Sequence, residues 1–354
     1  MKKSLLALAV LGAVAGVAQA QSAVVIYGNV DAGLIKRTDQ SMAIGKRANN
    51  TLGFKGTEDL GSGLKAIFQL EIRYEPDTGT IEQGAGGIQR PLFQGQSRVG
   101  LTGDFGTLRI GRGLTAFQES SIAFEPFHGI PSPAGFQTDL TVAGYSSDPL
   151  GLPGNSTNRF SNAVWYNSPE FAGIQINTTI ASKEANGGVA VPGRLLINLA
   201  PQYPANAPAS ANPYSITATW KNGPGALMLA MERNAIESKV RSFAGYVMVS
   251  PDMKLMFSIT HQDQSHTKAI NQDTKAWVVG ANYTLGASKF LAGIGQKNAD
   301  GVEKVKQASL GYEYSLSKRT YLYADISNKK GAPAIAPSKN TSINHLDLGI
   351  NHSF

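Results

Sequence analysis

A two-residue alternation of apolar and polar side chains limits the fold of this sequence more than any other feature. In the last segment Leu346, Leu348 and Ile350 share one face, while Asp347 and Asn351 share the other. This is the period of a β-strand, whose successive side chains point to opposite faces of a sheet. The alternation recurs along the chain in segments of about ten residues, the length of a membrane-crossing strand. The sequence therefore predicts an all-β protein.

Short turns and mostly longer loops alternate strictly between these segments. Seven short connections rich in turn-forming residues lie at 58–63, 104–106, 169–173, 222–225, 251–253, 285–288 and 316–318. The remaining connections lie at 37–48, 76–92, 113–159, 182–213, 233–240, 263–273, 298–302 and 328–342. Together they join sixteen strands, and an even number places both chain ends on the side of the short turns. The pattern predicts a sixteen-stranded antiparallel transmembrane β-barrel with long external loops.

The first twenty residues have the features of an export signal. Lys2 and Lys3 precede an apolar run that is too short to cross a membrane as a helix, and the cleavage pattern Ala18-Gln19-Ala20 follows. We expect residues 1–20 to be a signal peptide and residues 21–354 to form one barrel domain. Removal of the two leader lysines reduces the net charge of the chain from +7 to +5. This charge is too small to indicate nucleic-acid binding.

The longest connection, 113–159, is expected to fold into the barrel. Its front half is apolar enough to pack, and the connection far exceeds the usual loop length. It carries the acidic residues Glu119, Glu125 and Asp139. Cationic side chains at inward positions or strand ends would face it, namely Lys55, Arg73, Arg98, Arg109 and Arg112. Such an arrangement would create a transverse field at a pore constriction, although lumen-facing charges can also be merely solvated.

Sequence motifs for catalysis or metal binding are absent. The chain has no cysteine, and its five histidines do not have metal-ligand spacing. No nucleophile elbow and no phosphate-binding loop is present. We expect neither an enzyme nor a cofactor or metal site.

Several stretches resemble the general porins of Gram-negative bacteria, of the type found in beta-proteobacteria and Neisseria. The similar stretches are Val24–Gly33, Leu52–Gly61, Val99–Gly106, Asn167–Gly173 and Leu316–Thr320, followed by a terminal Phe354. The resemblance implies a water-filled barrel, a homotrimer and an inward third loop. It places constriction cations at Arg98, Arg109 and Arg112, with acidic partners among Glu119, Glu125 and Asp139, and it gives Phe354 the role of an assembly signal.

The leading hypothesis is a passive channel for small hydrophilic solutes and ions in the bacterial outer membrane, with weak anion preference. Expected partners are further copies of the chain, outer-membrane lipid and lipopolysaccharide. One alternative is a solute-specific channel for small carboxylates, which arginines would attract. Another is a barrel whose external loops serve adhesion.

Overall fold

The computed structural model describes residues 23–84, 88–142, 145–151, 155–184, 191–192, 202–203, 206–263, 273–299, 303–331 and 341–354. Residues 1–20, the expected signal peptide, lie outside these ranges. The strands are β1 (Ala23–Arg37), β2 (Ala43–Gly45), β3 (Asn50–Gly61), β4 (Leu64–Tyr74), β5 (Gln96–Gly103), β6 (Gly106–Leu114), β7 (Arg159–Asn167), β8 (Ile174–Ala181), β9 (Val191–Pro192), β10 (Gln202–Tyr203), β11 (Tyr214–Asn222), β12 (Gly225–Arg233), β13 (Lys239–Ser250), β14 (Met253–Asp263), β15 (Asp273–Leu285), β16 (Ser288–Ala299), β17 (Val305–Ser315), β18 (Thr320–Lys330) and β19 (Ser342–Ser353). Among the described residues, no helix is both long and apolar enough to cross a bilayer.

The main sheet closes on itself. Neighbouring strands pair antiparallel in chain order, β8 pairs with β11, and β1 pairs with β19 on one side and with β2 and β3 on the other. Since β2 and β3 are two pieces of one barrel strand, and β9 pairs only with β10, the described residues form a sixteen-stranded barrel. The predicted fold class is confirmed. Gly28 and the terminal Phe354 exchange two backbone hydrogen bonds of 3.1 Å at the closing seam.

Outward and inward faces follow the alternation seen in the sequence. Leu346, Leu348 and Ile350 are between 41% and 54% exposed on the outside, whereas Asp347 and Asn351 are buried in the interior. Apolar side chains face outward because hydrocarbon offers charged groups no hydration, while a lumen of this size holds water.

A break between β2 and β3 directs Arg47 into the barrel. Its backbone N–H donates to Asp31 over 2.6 Å, and its guanidinium contacts Asp325 at 2.5 Å and Glu313 at 2.7 Å. Arg47 is only 1% exposed. A buried charge is tolerated only when it is paired and hydrogen-bonded, and removal of one partner from such a pair costs about 3–5 kcal/mol. The break therefore fixes the wall next to the closing seam.

The outward face makes a testable prediction about stability. Leu310 lies half-way along β17 and is 57% exposed on the outside. Leu310→Arg should destabilise the barrel in lipid vesicles by about 2–4 kcal/mol, because the arginine would lie at the middle of the bilayer. Urea unfolding in vesicles measures this cost. Leu316→Arg, at the short turn after β17, is the matched control and should cost at most about 1 kcal/mol; equal costs for both variants would contradict the assigned faces.

Candidate functional site

Loop 3, residues 115–158, enters the lumen immediately after β6. It begins with the helix α1 (Ala116–Ser121), whose N-cap Thr115 accepts a hydrogen bond from the N–H of Gln118. The N–H of Ala116 donates to Thr179 on β8 over 3.0 Å, and that of Phe117 donates to Ser215 on β11 over 2.9 Å. The first backbone donors of a helix have no partner within it. Here inward hydroxyls of the barrel wall accept from them, which anchors the loop inside.

Side-chain amides of the wall hold the rest of loop 3. Asn282 Nδ2 donates to the carbonyl of Pro126 over 3.0 Å, and Gln262 Nε2 donates to that of Thr141 over 2.8 Å. Gln307 Nε2 reaches the carbonyls of Pro133 at 3.0 Å and Gly135 at 2.9 Å. These bonds come from β14, β15 and β17, so the loop crosses the lumen to the far wall. The predicted inward third loop is confirmed.

The apolar side of loop 3 packs against wall positions that lack side chains. A Cβ atom on Gly293 would lie 2.5 Å from Cε2 of Phe136, and one on Gly280 would lie 2.5 Å from Cγ of Pro126. Phe136 is fully buried, as is Leu140 beside it. The close approach of an aromatic ring to backbone requires glycine at these inward positions.

Glu119 of α1 lies between two arginines of the wall. Its Oε1 is 2.7 Å from Nη1 of Arg98 on β5, and its Oε2 is 3.2 Å from Nη2 of Arg109 on β6. Gln69 Oε1 accepts two further bonds from Arg98, and Asn167 Oδ1 accepts one from Arg109. One carboxylate thus faces two guanidinium groups, which cannot be deprotonated in a protein. We call Arg98 and Arg109 the lower arginine pair.

Four arginines form a second layer on the loop side of this pair, and we call them the upper arginine group: Arg73, Arg90, Arg112 and Arg159. Arg73 is close enough to each of the other three to repel it electrostatically. Arg159 is fully buried, and its Nε donates to the carbonyl of Gly95 over 2.7 Å. Arg112 Nη1 donates to Ser161 Oγ over 2.6 Å. The described residues offer no hydrogen-bond partner to Nε and Nη2 of Arg112 or to Nη2 of Arg159.

Acidic residues partly balance the upper arginine group. Glu82 contacts Arg90 at 3.1 Å and Lys46 at 3.0 Å. Burial favours the neutral acid, but the nearby Lys46, Arg73 and Arg90 outweigh it and hold the pKa of Glu82 below its usual value. Asp148 of loop 3 is affected in the opposite direction, since burial raises its pKa to about 6 although Arg112 is near.

Comparisons with known proteins agree with this architecture. The sequence profile of the Gram-negative porins matches residues 7–332. Outer membrane porin protein 32 of Delftia acidovorans is 32% identical over the full length of both chains. This chain belongs to the Gram-negative porin family. Two solved structures share its fold. The anion-selective porin from Comamonas acidovorans has a TM-score of 0.72 and 21% identity, and the match covers 94% of this chain and all of the other. OmpT of Vibrio cholerae in its trimer form has a TM-score of 0.65 and 13% identity, and the match covers 94% of this chain and 99% of the other.

Family and fold make this porin a passive channel through the outer membrane. They point to a channel rather than to an enzyme. Within the described part of the chain, no three His, Asp or Glu residues are grouped closely enough to hold a metal ion. In outer-membrane barrels of this kind the long loops lie on the extracellular side and the short turns on the periplasmic side.

The residues predicted to form the constriction do not all lie at one level of the lumen. Glu119 contacts the lower arginine pair, Arg98 and Arg109, whereas Arg73 and Arg112 belong to the upper arginine group. Lys55 lies over the ring of Tyr27 at 5.1 Å, and the hydroxyl of Tyr27 accepts a bond from Gln69. Lys55 therefore belongs to the same wall as the lower arginine pair.

Glu125 does not join the arginines. Its carboxylate accepts hydrogen bonds from loop 3's own backbone, over 2.6 Å from Gly129 and over 2.9 Å from Phe136. Burial raises its pKa to about 7. Through these two hydrogen bonds, Glu125 stabilises the conformation of loop 3. The side chain of Asp139 lies outside the described residues, and Phe354 keeps its assembly role as a prediction.

Sequence reasoning missed Arg159 and Arg90. Arg159 is the first residue of β7, where its neighbour Phe160 is equally buried and the pairing with β6 shifts register between Gly111 and Gly113, so the alternation of Ala163 and Trp165 does not extend back to it. Arg90 belongs to the long loop between β4 and β5, where no period indicates which way a side chain points.

The packing of loop 3 predicts the effect of filling the glycine position. Gly293→Val should displace Phe136 and loosen the loop, because the new methyl groups would occupy the space of the ring. We expect a larger and noisier single-channel conductance in planar bilayers. Ala292→Val is the matched control, since its side chain points to the outside. An unchanged channel in Gly293→Val would show that this contact does not position the loop.

Glu125 predicts a pH dependence of stability. A pKa raised to about 7 means that the stabilising neutral form is fully present below the ordinary value near 4.5 and is lost as the pH rises through 7. The porin should therefore be more stable at pH 5 than at pH 8, with Glu125 contributing on the order of 2–3 kcal/mol. Urea unfolding at both pH values measures this contribution. Glu125→Gln should remove it, whereas Glu58→Gln at the exposed periplasmic end of β3 should not; equal pH dependence in all three proteins would contradict it.

Proposed function

We propose that this porin is a general diffusion channel for small hydrophilic solutes and ions, with a weak preference for anions. The observation that carries the proposal is the single carboxylate of Glu119 between Arg98 and Arg109, which leaves the constriction with excess positive charge. Charges on low-dielectric walls concentrate ions of the opposite sign in the pore. Because Glu119 contacts both arginines, it reduces the preference without reversing it.

The upper arginine group supports the same sign of selectivity. Its four guanidinium groups lie on the extracellular side of Glu119, where an entering anion would meet them first. Glu71 and Glu82 offset part of this charge, since Glu71 lies 3.7 Å from Arg73. We expect anions to be enriched at the entrance and then to pass the lower arginine pair.

A second candidate function is a channel specific for small carboxylates. It is favoured by the partly exposed guanidinium groups of Arg73, Arg98 and Arg109 on one wall of the pore, because a guanidinium binds a carboxylate through two parallel hydrogen bonds. A specific channel would show flux that saturates with concentration and current that its solute blocks. A general pore would pass solutes by size, with flux proportional to concentration.

We also propose that the porin assembles as a homotrimer in contact with outer-membrane lipid and lipopolysaccharide. Family membership and the Vibrio cholerae structure in its trimer form support the trimer. Native mass spectrometry of the detergent-solubilised protein measures its mass. A monomer under conditions that preserve the folded barrel would contradict the trimer.

Glu119→Gln tests the charge argument. Loss of the carboxylate leaves both arginines unpaired by an acid, so the anion preference should increase, and the reversal potential in a salt gradient should shift in the anion-selective direction. Glu58→Gln, at the periplasmic end of β3, is the matched control and should leave the reversal potential near that of the wild type. A wild-type channel that selects cations, or a Glu119→Gln variant without any shift, would overturn the proposal.

A further inference from the structure

An apolar depression lies on the outer surface across strands β14 to β19. Cross-strand pairing places Ala281, Ala292 and Leu310 side by side in one row, and Ile294 and Ala308 in the next row toward the loops. The small alanines between branched side chains leave a cavity of about 960 Å³. The residues of loop 3 that pack against Gly280 and Gly293 from the lumen do not line it, so the depression opens to the membrane.

Two lysines border this depression on the extracellular side. Lys306 on β17 pairs directly with Lys330 on β18, and Gln296 on β16 pairs with Lys306 in the same row. Both lysines are exposed on the outer face, and no carboxylate of the described residues is within ion-pair distance of either. Like charges directly opposite one another destabilise a sheet. An anion between the two ammonium groups would remove that repulsion.

Further basic side chains continue the border. Arg241, His261 and Lys275 are direct cross-strand neighbours on β13, β14 and β15, one row closer to the loops than Lys306. Asp273 pairs with His261, so this second row is less basic than the first. All three side chains point outward, near the loop ends of their strands.

We propose that this face binds a phosphorylated, multiply acylated lipid of the outer leaflet, with a phosphate between Lys306 and Lys330 and an acyl chain in the alanine-lined depression. The assignment rests on the proposed lipid contact and on the family's outer-membrane location. Apolar space directly below paired cations complements a lipid with an anionic headgroup. A second copy docked on this face about a two-fold axis would bring the lysine pairs of both copies together, which charge repulsion disfavours.

The experiment is a titration of the purified, detergent-solubilised protein with hexa-acylated, bis-phosphorylated lipid A, followed by native mass spectrometry. The double variant Lys306→Gln/Lys330→Gln should bind about 30-fold more weakly than the wild type, as expected for the loss of two cations at a membrane surface. The matched control Lys318→Gln/Arg319→Gln removes two exposed charges at a periplasmic turn and should bind like the wild type. Dephosphorylated lipid A should bind the wild type and the double variant equally.

A second variant tests the depression itself. Ala308→Trp keeps both lysines but fills the space between the rows, so it should bind lipid A roughly tenfold more weakly through loss of about two methylene contacts. Single-channel conductance should stay at the wild-type value in every variant, which shows that the barrel is folded and keeps a failure here separate from a failure of the pore proposal. Equal lipid affinity in the wild type and the lysine variant, or in the wild type and Ala308→Trp, would overturn the site. A change in subunit number without a change in lipid affinity would also overturn it, by making this face an interface between copies.

Discussion

Backbone hydrogen bonding inside hydrocarbon determines the architecture. An unpaired N–H or C=O group in the bilayer costs several kcal/mol, so a sheet that crosses the membrane must close. This chain achieves closure when β1 pairs with both β19 and β3, and the carboxyl-terminal Phe354 continues the pairing to Gly28. Closure then divides the side chains of every strand into a lipid-facing set and a water-facing set. The alternation in the sequence and the charge inside the barrel both follow from that division.

The constriction forms because polar side chains of the barrel wall match the unpaired backbone groups of loop 3. The loop carries a short helix and several carbonyls whose backbone groups need partners, and the inward positions of β8, β11, β14, β15 and β17 supply hydroxyls and amides at the required places. Glycines on the same wall admit Phe136 and Pro126. The polar residues and the glycines of the wall therefore determine where loop 3 lies. As a consequence, Glu119 reaches the lower arginine pair.

Much of the fold could be predicted because a closed sheet repeats a simple period. The turns and loops located from the sequence agree with the ends of the barrel strands, and the length and apolar character of loop 3 indicated that it folds inward. The roles of individual site residues were harder to predict than the strands and loops. Nothing in the sequence indicates that the carboxylate of Glu125 turns back to the N–H groups of Gly129 and Phe136, since that depends on the path of the loop. The same reason hides Arg90, and a register shift between β6 and β7 interrupts the alternation before Arg159.

The two-residue alternation also does not predict the break between β2 and β3 that directs Arg47 into the barrel. An arginine between two alternating segments reads as part of an external loop, but here the chain returns to pairing before and after it, and Asp325 and Glu313 supply the charges it needs. Irregular segments satisfy their polar groups through contacts distant in sequence, which a local period cannot reveal.

A disulfide between loop 3 and the wall tests whether the loop occupies the lumen. Ser120 Oγ and Thr217 Oγ1 are 3.1 Å apart, and the chain has no cysteine of its own. In the variant Ser120→Cys/Thr217→Cys, mild oxidation should join the two residues in the folded porin, as mass spectrometry of the proteolysed protein would detect, and the channel should keep its wild-type conductance. A folded barrel in which this pair does not crosslink, or in which the crosslink changes the conductance strongly, would contradict the position assigned to loop 3.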